Sequence, residues 1–275
     1  MGSSRKLAVE LFGISVLLLF CVIAAVSGGL EKNRPEGTNK TTTSDDYRTF
    51  LINNIFNYYS NNGGGSLNRY SSEMEGYEFP RGSGKETMFE DGLVWGGYHK
   101  GRAIAKVGGS TYNHAIQPGP LVTYGTASTD PVAADPADVS YRLYRVRPDI
   151  NPHVAFASVQ TTITTDELAY ISRYESVTAQ DIYNRYIQDW NQWPASQGAP
   201  FTYGKDGNGV QRTSGPYDPD FDIPGKPGAD QTLWFVANDM NPALELFLSG
   251  SPPIGLEFQR TIWGYRSAGA FGSTI

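Results

Sequence analysis

The sequence predicts a mainly β fold with a few peripheral helices, arranged as an antiparallel β-sandwich or a curled sheet. Three features of the composition support this prediction. Glycine (31 of 275 residues) and proline (17) exceed average usage, and another 17 residues are tyrosine. Such a composition is typical of many short strands joined by tight turns, and less typical of a helical bundle. With 39% hydrophobic and 13% aromatic residues, the chain can also bury a sizeable core.

The first 27 residues have the pattern of an export signal. Arg5 and Lys6 precede an apolar run from residue 11 to residue 26, and the small residues Ala25 and Ser27 are placed as in a cleavage site. The run has about 16 residues, fewer than the roughly 20 that span a bilayer, so a signal peptide is favoured over a membrane anchor. We therefore expect cleavage after Ser27, a secreted or cell-surface location, and no stable membrane span in the mature chain.

The cysteine content and the charge narrow the classes of partner. The only cysteine, Cys21, lies in the predicted signal, so the mature chain would have neither a disulfide nor a cysteine metal site. The net charge of −6 argues against nucleic acid as a partner. Surplus carboxylates outside a cell favour a divalent cation, and calcium (Ca2+) is the natural candidate.

After the signal, residues 28–44 are polar and lack apolar periodicity, which predicts a flexible leader. Residues 45–275 are predicted to form a single β-rich domain. The domain is expected to begin with a helix from Asp45 to about Tyr59, because apolar residues recur there at three-and-four spacing after an acidic first turn. Three glycines, residues 63–65, then end this helix, and a β meander is predicted to follow.

The second half of the domain combines helices with the strongest strand patterns. A strand with a basic face is predicted at "YRLYRVRP", one helix near Thr165, and another helix from Thr178 to Asn191. The segments "QTLWFVAND" and "IGLEFQRTIWGYR" are dense in Trp, Phe and Ile and are predicted to be strands. The predicted core residues are Phe89, Trp95, Leu233, Phe235, Ile262 and Trp263.

An acidic loop before the last strands is the candidate metal site. Asp206 and Asn208 form a first pair of oxygen-bearing residues, and Asp218, Asp220 and Asp222 a second set, in a stretch rich in glycine and proline. Calcium takes about six to eight hard oxygen ligands, which alternating Asp and Asn can supply, although the stretch does not follow the EF-hand template. Surface turns, in which Asp and Asn side chains bond to nearby backbone groups, explain the composition equally well.

Two tryptophans and three acids are further candidates for binding or catalysis. Trp190 and Trp193 flank the end of a predicted helix, where exposed rings would stack on a sugar or a partner; a helix end docked on the core is the alternative. Glu90, Asp91 and Glu257 are the acids that a glycan hydrolase would use, provided that they face one cleft. No catalytic constellation stands out elsewhere in the sequence.

Five segments carry a family resemblance, in order along the chain: "FPRGSGKETMFEDGLVWGGYHKG", "IQPGPL", "DWNQWPASQGAP", "DIPGKPGADQTLWFVAND" and "PPIGLEFQRTIWGYR". Together they resemble the N-terminal region of large exported proteins of the Bacteroidetes and related phyla, which often end in a type IX secretion sorting domain. The resemblance implies a longer protein that continues beyond Ile275. It also implies that an insertion, Val210 to Pro216, separates the two halves of the acidic loop.

These observations predict a non-catalytic structural or adhesive module of a longer exported protein, stabilised by calcium. Its partners would be other domains of the same longer chain, or a protein or glycan at the cell surface. The alternative is a secreted carbohydrate-binding or glycan-hydrolysing protein.

Overall fold

The fold is mainly β, as the composition predicts. A computed structural model describes residues 46–66, 76–98, 104–111, 116–125, 130–172, 176–241 and 252–266, all of which belong to one compact unit, Thr41–Ile275. Within these ranges no helix is long and apolar enough to cross a membrane. The predicted signal, leader and C-terminal end lie outside the described residues.

The described residues form fourteen strands and two main helices, and every strand pair is antiparallel. The helices are α1 (Phe156–Ile163) and α2 (Ala179–Asn191). The strands are β1 (Tyr47–Phe50), β2 (Asn57–Ser60), β3 (Tyr77–Glu78), β4 (Glu86–Met88), β5 (Val94–Tyr98), β6 (Ala105–Gly109), β7 (Gln117–Pro118), β8 (Leu121–Thr123), β9 (Val132–Ala133), β10 (Tyr144–Val146), β11 (Phe201–Thr202), β12 (Ile223–Pro224), β13 (Gln231–Asn238) and β14 (Glu257–Gly264).

A four-stranded sheet lies at the centre of the fold, and β13 is its middle strand. On one side β13 pairs with β14 over eight residues without a break in register. On the other side it pairs with β10 near its start and with β7 near its end. The two segments predicted to be strands from their Trp, Phe and Ile content therefore form the centre and one edge of the sheet.

Both faces of β13 are buried, which explains why its sequence is apolar from Leu233 to Ala237. Leu233, Phe235 and Ala237 point to one face, where they pack against the β1–β2 hairpin in a common core. Trp234 and Val236 point to the other face, where they pack against the end of α2. The hairpin and the sheet thus pack face to face, as in a sandwich, and the helices form a further layer.

The predicted helix from Asp45 to Tyr59 is wrong, because this segment forms the β1–β2 hairpin. Every residue from 51 to 60 is buried except Asn54, so burial there does not follow the helical repeat that the apolar spacing suggested. Asn53 stabilises the turn by accepting a hydrogen bond from the backbone N–H of Ile55 at 2.9 Å.

The other two helix predictions differ in outcome. The helix predicted to begin near Thr165 in fact begins at Phe156, and residue 165 lies in a π-helical turn, Thr164–Leu168, that continues α1. The helix predicted from Thr178 to Asn191 is confirmed. Thr178 caps it through a reciprocal pair of hydrogen bonds with Asp181, which fixes its first turn.

The predicted core is correct in part. Leu233, Phe235 and Ile262 are buried, and Trp95 is half-buried against the same core. The prediction that Phe89 belongs to the core is wrong, since this residue directly follows β4 and its side chain is 66% exposed. The prediction for Trp263 is also wrong: its side chain is 38% exposed on the edge strand β14, where Lys226 lies over its ring.

Candidate functional site

A buried ion cluster joins the central sheet to the helices. Arg145 and Arg147 are 2% and 0% exposed, and their guanidinium groups lie 3.0 and 3.1 Å from the carboxylate of Glu167, in the π-helical turn. Tyr186 of α2 donates a hydrogen bond to the same carboxylate. Burial raises the pKa of the Tyr186 phenol well above its ordinary value. The cluster therefore holds the helices on the sheet and leaves none of its charges accessible to a substrate.

The acidic loop is organised by turns and by one arginine. Asp206 accepts hydrogen bonds from the backbone N–H groups of Asn208 and Val210, both at 2.9 Å. In the same way, Asp218 accepts from the N–H of Asp220 at 3.1 Å. Both are Asx-type turns, which is the alternative that the sequence left open.

Asp222 is the buried member of the acidic loop, at 1% exposure. It accepts hydrogen bonds from the backbone N–H groups of Gly204 and Asp218 and forms an ion pair with Arg212. Arg212 belongs to the segment interpreted as an insertion, so that segment supplies a positive charge to the loop. No group of three or more acidic, His or Cys side chains is placed to hold a metal in the described part of the chain. Calcium binding here stays a prediction, which thermal unfolding with calcium and with a chelator tests.

Trp190 and Trp193 are not exposed platforms. Their side chains are buried, at 3% and 4% exposure, in the core on the helix side of the sheet. The indole N–H of Trp190 donates to the carbonyl of Pro219 at 3.1 Å, and that of Trp193 to the carbonyl of Pro200 at 2.9 Å. Since their faces are covered, the prediction that they bind a ligand is corrected: they dock the end of α2 on the sheet.

The candidate acids Asp91 and Glu257 do not form a pair. Asp91 accepts a hydrogen bond from Ser66 at 2.6 Å and lies 3.5 Å from the guanidinium of Arg260. Glu257 accepts from the backbone N–H of Leu121 at 2.8 Å. Residues 257 and 260 are three apart on β14, so their side chains point to opposite faces of the sheet. The two carboxylates therefore lack the shared cleft that a glycan hydrolase requires.

The β5–β6 hairpin presents an exposed apolar surface. Its outward residues, here named the hairpin face, are Val94, Gly96, Tyr98, Ala105 and Val107. Val94 and Tyr98 are 79% and 73% exposed, and no charged side chain belongs to this face.

The opposite side of the same hairpin is anchored on the core. The ring of Trp95 packs against Phe258 at a centroid distance of 4.8 Å, and it also lies so close to Gly108 that a side chain there would collide with it. Lys106 donates a hydrogen bond to the carbonyl of Pro253 at 2.5 Å. The hairpin face is therefore held in place by contacts on its inner side.

No family model, curated protein or solved structure matches the chain. The resemblance to large exported proteins accordingly stays an expectation from the sequence, and the candidate surfaces are interpreted from their geometry.

Proposed function

We propose that the chain is a non-catalytic structural or adhesive module of a longer exported protein, and that it acts outside the cell through the hairpin face. The observation that carries this proposal is the exposed apolar character of that face. The outer face of an antiparallel sheet is normally polar, and contiguous exposed apolar surface is typical of sites that bind another molecule.

The state of the acidic side chains also supports a non-catalytic function. Glu167 and Asp222 are buried and paired with arginines, and Asp91 and Glu257 lie toward opposite faces of the sheet. A general acid or base needs a free carboxyl group within reach of a substrate proton. None of these four has that arrangement.

Carbohydrate binding is the second candidate function, and one observation favours it. Tyr98 is largely exposed, and the residues before it, Gly96 and Gly97, carry no side chains. Aromatic rings on such surfaces stack on the apolar faces of sugars. A panel of immobilised glycans separates the two functions, since an adhesive protein surface gives no binding there.

Surface display of the full chain on a host bacterium tests the main proposal. We expect displayed wild-type chain to attach cells to one another or to a protein-coated plate. Val94→Lys and Val107→Lys should each reduce attachment at least about tenfold, because binding would then bury an unpaired charge. Val210→Lys, at a remote valine of 61% exposure, is the matched control.

The control variant should attach like the wild type, and all three variants should keep the wild-type melting temperature. The proposal is rejected if the wild type attaches to nothing, or if Val94→Lys and Val107→Lys attach as well as Val210→Lys does.

A further inference from the structure

The outer edge of β14 carries backbone groups that no described strand pairs with. Gly119, on the β7 side, donates to the carbonyl of Val236 at 3.0 Å, so the backbone groups of Val236 point away from β14. By the alternation of an antiparallel pair, its partner Gln259 turns its own N–H and C=O to the outer edge, and so do Thr261 and Trp263. These outward groups have no backbone partner among the described residues.

The opposite edge of the sheet is formed by β10, and there side chains bond to the outward N–H groups in place of a neighbouring strand. The outward N–H of Arg145 on β10 donates to the carboxylate of Asp189 at 2.9 Å. The outward N–H of Leu143, directly before β10, donates to the carboxylate of Asp46 at 3.1 Å. Among the described residues, side chains thus occupy the places of a neighbouring strand at β10 and not at β14.

β14 has few of the features by which proteins protect an edge strand, and its two charged residues, Glu257 and Arg260, lie in its first half. It is eight residues long, contains no proline and keeps its register with β13 throughout. From Thr261 to Gly264 it carries no charged side chain. An edge of this kind is suited to pair with another extended chain.

We propose that the outer edge of β14 binds an extended strand of another polypeptide, which adds to the central sheet. The donors and acceptors at Gln259, Thr261 and Trp263 specify a peptide backbone. The side chains beside them specify its sequence. Trp263 is partly exposed and offers apolar contact, and the ammonium of Lys226 lies 5.5 Å from the centre of its ring.

Lys226 forms no ion pair with any residue that the structure describes, so it is free to bind an acidic residue of the incoming strand. The expected partner therefore has an apolar residue beside Trp263 and an Asp or Glu facing Lys226. This site is separate from the hairpin face and does not depend on it.

Charge disfavours a second copy of the chain as the added strand. The only acidic residue of β14 is Glu257. An antiparallel second copy would place its Glu257 beside Trp263 and Lys226 in the register that sets residue 257 opposite residue 263. In that register the two copies of Arg260 lie directly opposite each other, and like charges in this position are destabilising.

A synthetic peptide tests the proposal on the full chain. It has the length of β14, alternates valine and threonine, and carries one aspartate placed to reach Lys226. A twin peptide, methylated on the backbone nitrogens that would face β14, is its matched control. We expect the first peptide to bind and to slow amide hydrogen exchange at Gln259, Thr261 and Trp263, and the methylated twin to bind at least about tenfold more weakly.

Variants of the chain locate the bound peptide. Thr261→Pro removes an outward N–H and should weaken binding at least about tenfold, whereas Thr261→Val keeps that N–H and should bind like the wild type. Lys226→Ala should reduce binding of the aspartate peptide and leave that of an all-neutral peptide unchanged. The proposal is overturned if the methylated twin binds equally well, if neither peptide binds, or if the chain instead forms a dimer that Thr261→Pro abolishes.

Discussion

β10 and β14 border the same central strand, yet their outer edges end in different ways. The outward N–H groups at β10 are bonded to the carboxylates of Asp46 and Asp189, and a buried ion cluster lies behind the strand. The outward groups at β14 have no such partners among the described residues, and its Trp263 is partly exposed. The difference shows that carboxylates replace a missing strand at the β10 edge, whereas no described side chain does so at the outer edge of β14.

The largest expected effect concerns the cluster behind β10. Glu167→Ala should lower the free energy of unfolding by about 3–5 kcal/mol, because it leaves Arg145 and Arg147 buried without their shared counter-ion. Arg266→Ala, which removes a half-exposed ion pair with Asp149, is the control and should cost less than about 1 kcal/mol. Urea denaturation measures both. If both variants lost the same free energy of unfolding, the buried cluster behind β10 would stabilise the fold no more than an exposed ion pair does.

A smaller effect is expected from opening the β10 edge itself. Asp189→Ala removes the acceptor of the Arg145 N–H and should cost about 2 kcal/mol, since a buried donor is left unsatisfied. Asp189→Asn keeps an acceptor oxygen in the same place and should retain part of that stability. Thermal unfolding distinguishes the two variants, and a cost for asparagine as large as for alanine would contradict a capping function.

The pH dependence of stability sharpens the comparison further. Burial alone would raise the pKa of Asp149, but its hydrogen bond to Arg147, the charge of that residue and the contact with Arg266 hold the pKa below its ordinary value. A lowered folded pKa means that this contribution is present above the unfolded pKa, about 3.9, and is lost as the pH falls through the folded pKa. Asp149→Asn should therefore flatten the acid limb of stability below about pH 4, as followed by unfolding at a series of pH values.

Replacement at the open edge should have the smallest effect. Thr261→Pro removes an N–H that has no partner in the described structure, so it should change the free energy of unfolding by less than about 1 kcal/mol. Proline at Ile262, whose backbone groups face β13, is the contrasting variant and should cost about 3 kcal/mol or more. Similar costs at the two positions would show that the outer edge of β14 is already paired.

The sequence predicted the long strand pair β13–β14 better than it predicted the β1–β2 hairpin. β13 and β14 were recognised because apolar and aromatic residues dominate both segments, and burial on both faces of β13 requires that composition. The apolar spacing of the β1–β2 hairpin wrongly predicts a helix, because a segment buried on nearly every residue contains the helical spacing by chance. Exposure at Trp263 depends on which strand ends the sheet, and that is set by distant parts of the chain.

The candidate sites were harder to predict, since their chemistry depends on contacts between distant residues. Nothing near Arg147 in the sequence points to Glu167, which lies 20 residues away in the π-helical turn after α1. Similarly, Arg212 and Asp222 meet only because the acidic loop closes on itself. The composition of that loop fitted both calcium and turns, and the hydrogen bonds of Asp206 and Asp218 follow the turn interpretation.

The position of β13 in the sheet has a consequence for the rate of folding. Gln231 accepts a hydrogen bond from the N–H of Leu51 across 180 residues, and Asn238 accepts one from Gln117 across 121 residues. Chains whose native contacts join distant residues fold slowly, since loop closure costs entropy before the contacts form. We therefore expect β13, which is buried at every residue in the native fold, to stay exposed for much of the folding time, which makes the refolding yield fall steeply as protein concentration rises.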